Sequence, residues 1–174
     1  MIYEYRVVMY TKLQRGTPST SETARLADQI RRAFEGEAWH GDSVLELVAD
    51  VDAKTAASHP IKNAHSIWVL VLHVAAWDDA VRRRTGGKAV TLTDAENFPP
   101  VKDTSEAAWK ETVGYVKKIH AELISAVAAF PDSRLQEKVP GKIEKYYNFF
   151  YMFSGIAQHE IYHAGQIALL KKLR

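Results

Sequence analysis

The sequence predicts an all-α four-helix bundle with long crossover connections and a short N-terminal extended segment. Three observations carry that expectation. Apolar residues recur at spacings of three and four along four segments, which is the period of a helix buried on one side. Plausible capping residues stand at the start of each segment, and capping marks where a helix begins. Only Met1 to Tyr10, MIYEYRVVMY, alternates in the manner of a strand, and weakly. Residues 1–20 are therefore expected to be an extension, and residues 21–174 the bundle.

The four helices are expected near residues 21–36, 63–86, 104–130 and 145–173. The first opens at Ser21-Glu22-Thr23, carries Leu26, Ile30 and Phe34 at four-residue spacing, and stops at Gly36. Residues 37–62 are irregular, with Val44–Val48 as one short helix and a turn at Ser58-His59-Pro60. The second helix, capped by Asn63 or Ser66, contains Ile67-Trp68-Val69-Leu70-Val71-Leu72-His73-Val74-Ala75-Ala76-Trp77. A helix apolar all round is a buried helix. The loop after Gly86 holds Asn97-Phe98-Pro99-Pro100, and its length marks a crossover or the wall of a pocket. The third helix places Trp109, Val113, Val116, His120, Leu123, Val127 and Phe130 along one seam. The last carries Ser154, Gly155, Ala157, Ala164, Gly165 and Ala168, small residues that let a neighbouring helix approach.

Composition removes several functional classes. The chain has 174 residues, of which 47% are hydrophobic and 25% charged, so it is a globular domain and not a disordered chain. It has no cysteine, which excludes disulfides, thiolate metal sites and a cysteine nucleophile. A net charge of +2 gives no general case for nucleic acid or an anionic membrane. Arg82-Arg83-Arg84 reads as the solvated end of a helix. No apolar run spans a bilayer, and the first residues do not read as an export signal. A cytoplasmic protein acting on a small molecule is the expectation.

Any metal must then be held by His, Asp or Glu, and the seven histidines carry the argument. His159 and His163 are four residues apart, hence one turn apart on one helix face. Phe149, Phe150, Phe153, Ile156, Ile167 and Leu169 flank them, so the pair is expected to point inward. Buried imidazoles need partners, and a divalent ion supplies them. His159-Glu160-Ile161-Tyr162-His163 also fits the His-Glu-x-x-His helix of zinc peptidases. That reading fails: no His, Asp or Glu follows His163, and the extended motif would want a histidine at Leu169. The third ligand must come from earlier in the chain. His73, in the most apolar helix, is the first candidate, and His120 is the rival, with Ile119 beside it placing it at the edge of the seam. His65 reads as a helix start and His59 as a loop residue. His40, between Trp39 and Gly41, either walls a pocket or faces solvent. Glu160 is rotated off the ligand face, which weakens it as a general base.

Three segments then resemble the DinB superfamily of small metal-binding four-helix bundles. They are Phe34-Glu35-Gly36-Glu37-Ala38-Trp39-His40-Gly41, the stretch from His65-Ser66-Ile67-Trp68 through Leu72-His73-Val74-Ala75-Ala76-Trp77, and Gln158-His159-Glu160-Ile161-Tyr162-His163-Ala164-Gly165-Gln166-Ile167. The resemblance runs from about Ser21 to Arg174 and leaves Met1 to Ser19 uncovered. It implies a three-histidine metal site made by His73, His159 and His163. It also implies one of two activities, metal-dependent hydrolysis or transfer of a low-molecular-weight thiol to an electrophile.

Three neutral histidines leave an ion its full charge and an open position, the catalytic pattern. The reacting group would be a metal-bound water or an exogenous thiol, since the chain has no thiol of its own. Zinc or nickel is the expected metal, though imidazole also suits copper and iron. Trp39, His40, Trp77 and Gln166 are the expected pocket residues, with Gln166 orienting a ligand or bonding another helix. A metal-containing binding or stress-response protein without turnover is the alternative. A homodimer is expected, because Trp39, Trp68, Trp77 and Trp109 cannot all fit around one small site.

Overall fold

A computed structural model describes residues 21–173. The strand expected over Met1 to Tyr10 lies outside the described residues. The rest is helical: α1 (Glu22–Glu35), α2 (Val44–Val48), α3 (Ala53–Ala57), α4 (Ile67–Thr85), α5 (Asp94–Asn97), α6 (Glu106–Ala128) and α7 (Phe149–Lys172). A single 3₁₀ turn, Asp132–Arg134, follows α6.

Hydroxyl, Asn and Asp side chains start these helices. Ser21, Ser66 and Ser105 accept from the backbone N–H of Ala24, Val69 and Ala108. Asn148 accepts from Tyr151 N–H. Each satisfies an amide that the first turn leaves without a partner. Two boundaries differ from expectation for local reasons. Asn63 sits in the left-handed region, with φ 64°, so α4 cannot begin there and starts after Ser66. Residues 145–148 pair back toward the preceding loop through a Lys138–Asn148 bridge, which delays α7 to Phe149. Gly36 ends α1 as expected. Its φ of 144° excludes a side chain, and a Cβ there would meet the Glu46 carboxylate at 3.2 Å.

The four long helices close a ring. α1 packs against α6 and α7, and α4 packs against the same two helices. Round the bundle the order is therefore α1, α6, α4, α7, with α1 diagonal to α4 and α6 diagonal to α7. Residues 36–66, carrying α2 and α3, make the first diagonal crossing, and residues 129–148 make the second. The irregular stretch after α1 is the first of these crossovers, whereas the loop after Gly86 joins the neighbours α4 and α6 and walls the site instead, and the second crossover falls at residues 129–148.

The apolar core falls into two layers. One gathers Phe34, Trp68, Val71, Val74, Ala75, Trp109, Val116, Ala164 and Ile167. The other gathers Leu26, Ile30, Val81, Leu123, Val127, Phe149, Phe153, Ile156 and Ala157. Trp68 and Trp109 meet at 5.0 Å, and each finds a hydrogen-bond acceptor, Thr112 Oγ1 and the Val51 carbonyl. No residue of α4 is exposed, as its apolar sequence requires. Among the described residues, no helix is long and apolar enough to cross a membrane.

Candidate metal centre

His73 lies in the middle of α4, and His159 and His163 lie one turn apart on α7, the helix packed beside it. The packing brings the three rings to one point. His159 Nε2 is 3.0 Å from His73 Nε2 and 3.1 Å from His163 Nε2. His73 and His163 are 4% and 6% exposed, and His159 is half-buried.

The far side of two rings is already committed. His73 Nδ1 lies 2.6 Å from the Asn97 carbonyl, and a carbonyl only accepts, so this nitrogen carries the proton. His163 Nδ1 donates in the same way to Gln166 Oε1 at 2.7 Å. Both Nε2 atoms therefore present lone pairs, and a fixed tautomer of this kind is how metal-ligating histidines are held. Phe98 stacks on His73 at 4.2 Å and on His65 at 4.1 Å, so the ring is clamped on its face as well.

Burial disfavours charge on all three rings. It drops His73 to about 4, helped by repulsion from His163 and His65 and opposed by the Asn97 hydrogen bond. It drops His159 to about 3, with His163 and His73 adding to the effect. His163 is lowered by burial too, against its bond to Gln166. The rings are neutral at pH 7, and neutral imidazole is the metal-ligating form.

These residues fit a divalent cation. Even if His159 carried a proton on Nε2, it would satisfy one facing lone pair and leave the other opposed. A cation at the shared point satisfies all three. Nitrogens about 2.0–2.1 Å from one ion stand about 3.0–3.4 Å apart, the separations seen here. The three side chains offer ligand atoms that all lie within 4.8 Å of one another.

The centre opens onto a cavity of about 350 Å³ lined by His73, Trp77, Asn97, Tyr147, Tyr151, Met152, Ile156 and His159. Trp77 Nε1 donates to Asn97 Oδ1 at 2.8 Å, fixing the loop whose carbonyl holds His73. Burial raises the Tyr147 phenol, so it stays a protonated donor. A wider open groove of about 810 Å³ between Arg82, Lys118 and Arg134 contains none of the three histidines.

Trp77 thus lines the cavity, whereas Gln166 does not and instead accepts from His163 on its own helix. Trp39 and His40 do not take part. Both are exposed in the turn after α1, because Gly36 and Glu37 adopt positive φ and swing the chain outward. Asn97, Phe98, Tyr147 and Tyr151 were not singled out as individual site residues. The Asn97-Phe98-Pro99-Pro100 loop was the signal for the first two, and nothing local marks the tyrosines.

His120 is also not where the sequence placed it. It is fully buried on α6 rather than at the edge, stacked on Phe34 at 3.9 Å. Its Nδ1 donates to Asp78 Oδ2 at 3.1 Å and lies 3.3 Å from Glu160 Oε1, outside hydrogen-bond alignment with that oxygen. Burial pulls His120 down, but the two carboxyl groups outweigh it and raise it to about 9. Asp78 and Glu160 are both pushed up, burial first. The two histidine positions left open as third ligand therefore separate: His73 meets the pair on α7, and His120 meets two acids.

A family model for the DinB superfamily matches residues 38–167. The chain belongs to that superfamily. No curated protein and no solved structure matches it.

Proposed function

We propose that this member of the DinB superfamily is a metal-dependent enzyme acting on a small molecule, as a hydrolase or as a transferase of a low-molecular-weight thiol. The observation that carries the reading is the convergence of three neutral Nε2 atoms on the wall of a cavity, with no fourth protein ligand among the described residues. His73, His159 and His163 would hold a divalent ion there, Zn²⁺ or Ni²⁺ by their ligand chemistry. When bound, such an ion supplies Lewis acidity, stabilising negative charge on an oxygen or sulfur ligand at neutral pH.

The remaining work falls to this chain's own residues. The Asn97 carbonyl and Gln166 Oε1 hold the Nδ1 protons of His73 and His163, which keeps both Nε2 atoms aimed at the shared point. Trp77, Met152 and Ile156 give the cavity an apolar wall that binds the carbon frame of a substrate and excludes water. Tyr147 and Tyr151 border it with phenols. No residue with a thiol exists in the chain, so thiol transfer takes its sulfur from a cosubstrate.

The test pairs elemental analysis of untagged protein with turnover of ester and electrophile panels, each with and without an added small thiol. Metal-dependent turnover that is lost in His73→Ala is the expected result. Stoichiometric metal with no turnover under any condition would favour a metal-containing binding protein, and metal-free protein that cannot be loaded would remove the reading.

A further inference from the structure

We propose that Asp78, His120 and Glu160 form a second divalent-cation site, closed inside the bundle and separate from the three-histidine centre. α4, α6 and α7 each contribute one side chain. Each is fully buried, at 0% exposure. Their ligand atoms lie within 4.8 Å of one another.

Two independent observations point to an ion. The first is unmet hydrogen-bonding capacity. Both carboxylate oxygens of Glu160 and Asp78 Oδ1 have no hydrogen-bond partner. A buried polar atom without a partner is strongly unfavourable, and three in one place are exceptional. The second is charge. Once an ion displaces the Nδ1 proton that His120 gives to Asp78, the cluster carries two carboxylates, and among the described residues no Lys or Arg pairs with either. The nearby Arg82 pairs with Asp79 and Glu122, and Arg84 donates to the Val90 carbonyl. One divalent cation would balance that charge and occupy the open oxygen lone pairs together.

The distances agree. His120 Nδ1 stands 3.1 Å from Asp78 Oδ2 and 3.3 Å from Glu160 Oε1. Ligands about 2.0–2.2 Å from a common ion are separated by about 3.0–3.5 Å. Two carboxylates and one imidazole favour a harder ion than three imidazoles do, so the Mn²⁺ and Fe²⁺ class fits better than Zn²⁺. Phe34 covers the imidazole face, and none of the three residues lines the cavity beside the three histidines or the wider groove. The ion would enter as the chain folds and leave only when it opens. This proposal does not depend on occupancy of the three-histidine centre.

The test uses the full chain produced with Mn²⁺, dialysed natively against a chelator, then crystallised for anomalous diffraction at the manganese edge. A peak enclosed by Asp78, His120 and Glu160 is expected, with about one ion per chain retained. His73→Ala should keep that ion. Glu160→Gln should lose it by about tenfold or more, as removal of a charged ligand requires. If Glu160→Gln does not fold, the wild-type map decides alone. Absence of the peak overturns the proposal, as does equal retention in Glu160→Gln. Loss in His73→Ala with retention in Glu160→Gln assigns the ion to the three-histidine centre and overturns this site while supporting the other.

Discussion

His159 and Glu160 are neighbours in the chain, yet they serve opposite environments. His159 turns toward His73 and the cavity, while Glu160 turns toward His120 and Asp78 in the core. The same division occurs on α4, where His73 faces the cavity and Asp78, five residues on, faces the core. In the open centre the outer nitrogens of His73 and His163 are satisfied by Asn97 and Gln166, that of His159 has no partner, and the three inner nitrogens meet at one place. In the closed cluster the unsatisfied atoms belong to every member. The open centre is thus preorganised by its surroundings, whereas the closed cluster is organised only by its own members.

The closed cluster also sits at the seam of the core. On α6, Val116 belongs to one apolar layer and Leu123 to the other, with His120 between them. Asp78 falls between Ala75 and Val81, and Glu160 between Ala157 and Ala164, in the same way. The buried polar residues therefore mark the plane where the two layers meet.

His120→Ala removes the group that both buried carboxyls face and should destabilise the chain by about 3–5 kcal/mol in denaturant unfolding. Replacing Asp78, His120 and Glu160 together by apolar residues of similar volume should recover much of that loss, because the desolvation is removed with the charges. A triple variant no more stable than His120→Ala would show that the cluster organises the bundle beyond its electrostatics.

The open centre should respond to metal instead. At free Zn²⁺ or Ni²⁺ about 100-fold above the dissociation constant, the wild type should gain about 2.7 kcal/mol, read as a rise in Tm. His73→Ala should show no such rise. A metal-induced shift of equal size in that variant would move the ion elsewhere.

Gln166→Ala sharpens the same contrast at smaller amplitude. It leaves three imidazoles in place but frees the His163 ring, so metal affinity should fall about 10–100-fold by competition titration. Unchanged affinity would mean that helix packing alone orients His163.

The smallest effect lies away from both regions. Asp132 accepts from Glu22 N–H, Thr23 N–H and Thr23 Oγ1, clamping the start of α1 to the turn after α6. Hydrogen bonds to those Thr23 and Glu22 groups hold its carboxyl below the usual 3.8. A carboxyl lowered on folding stabilises above its unfolded pKa, and that stability is lost as pH falls through the folded value. The wild type should therefore lose stability below about pH 4 by a margin that Asp132→Asn lacks. Parallel pH profiles of the two would remove this role.

Much of the fold was legible because helical periodicity is local. Leu26, Ile30 and Phe34 on α1, and Trp109, Val116, His120, Leu123 and Val127 on α6, are buried where a spacing of three and four puts them. Boundaries were less legible where a single backbone conformation decides them, as Asn63 does before α4. The pair on α7 was readable because residues four apart share a helix face whatever surrounds them. Trp39 and His40 were misplaced because a loop side chain has no periodicity to fix its direction.

The sequence by itself determined the helices, the absence of thiol chemistry, and the inward His159–His163 pair, since each depends on composition or on residues within one turn. The tertiary structure alone decided what lies between helices: the diagonal crossings, the Asn97 carbonyl behind His73, and the meeting of Asp78 with His120 across 42 positions of chain. Such contacts depend on how apolar faces pack in three dimensions, and no local pattern encodes which polar residue on one helix will meet which on another.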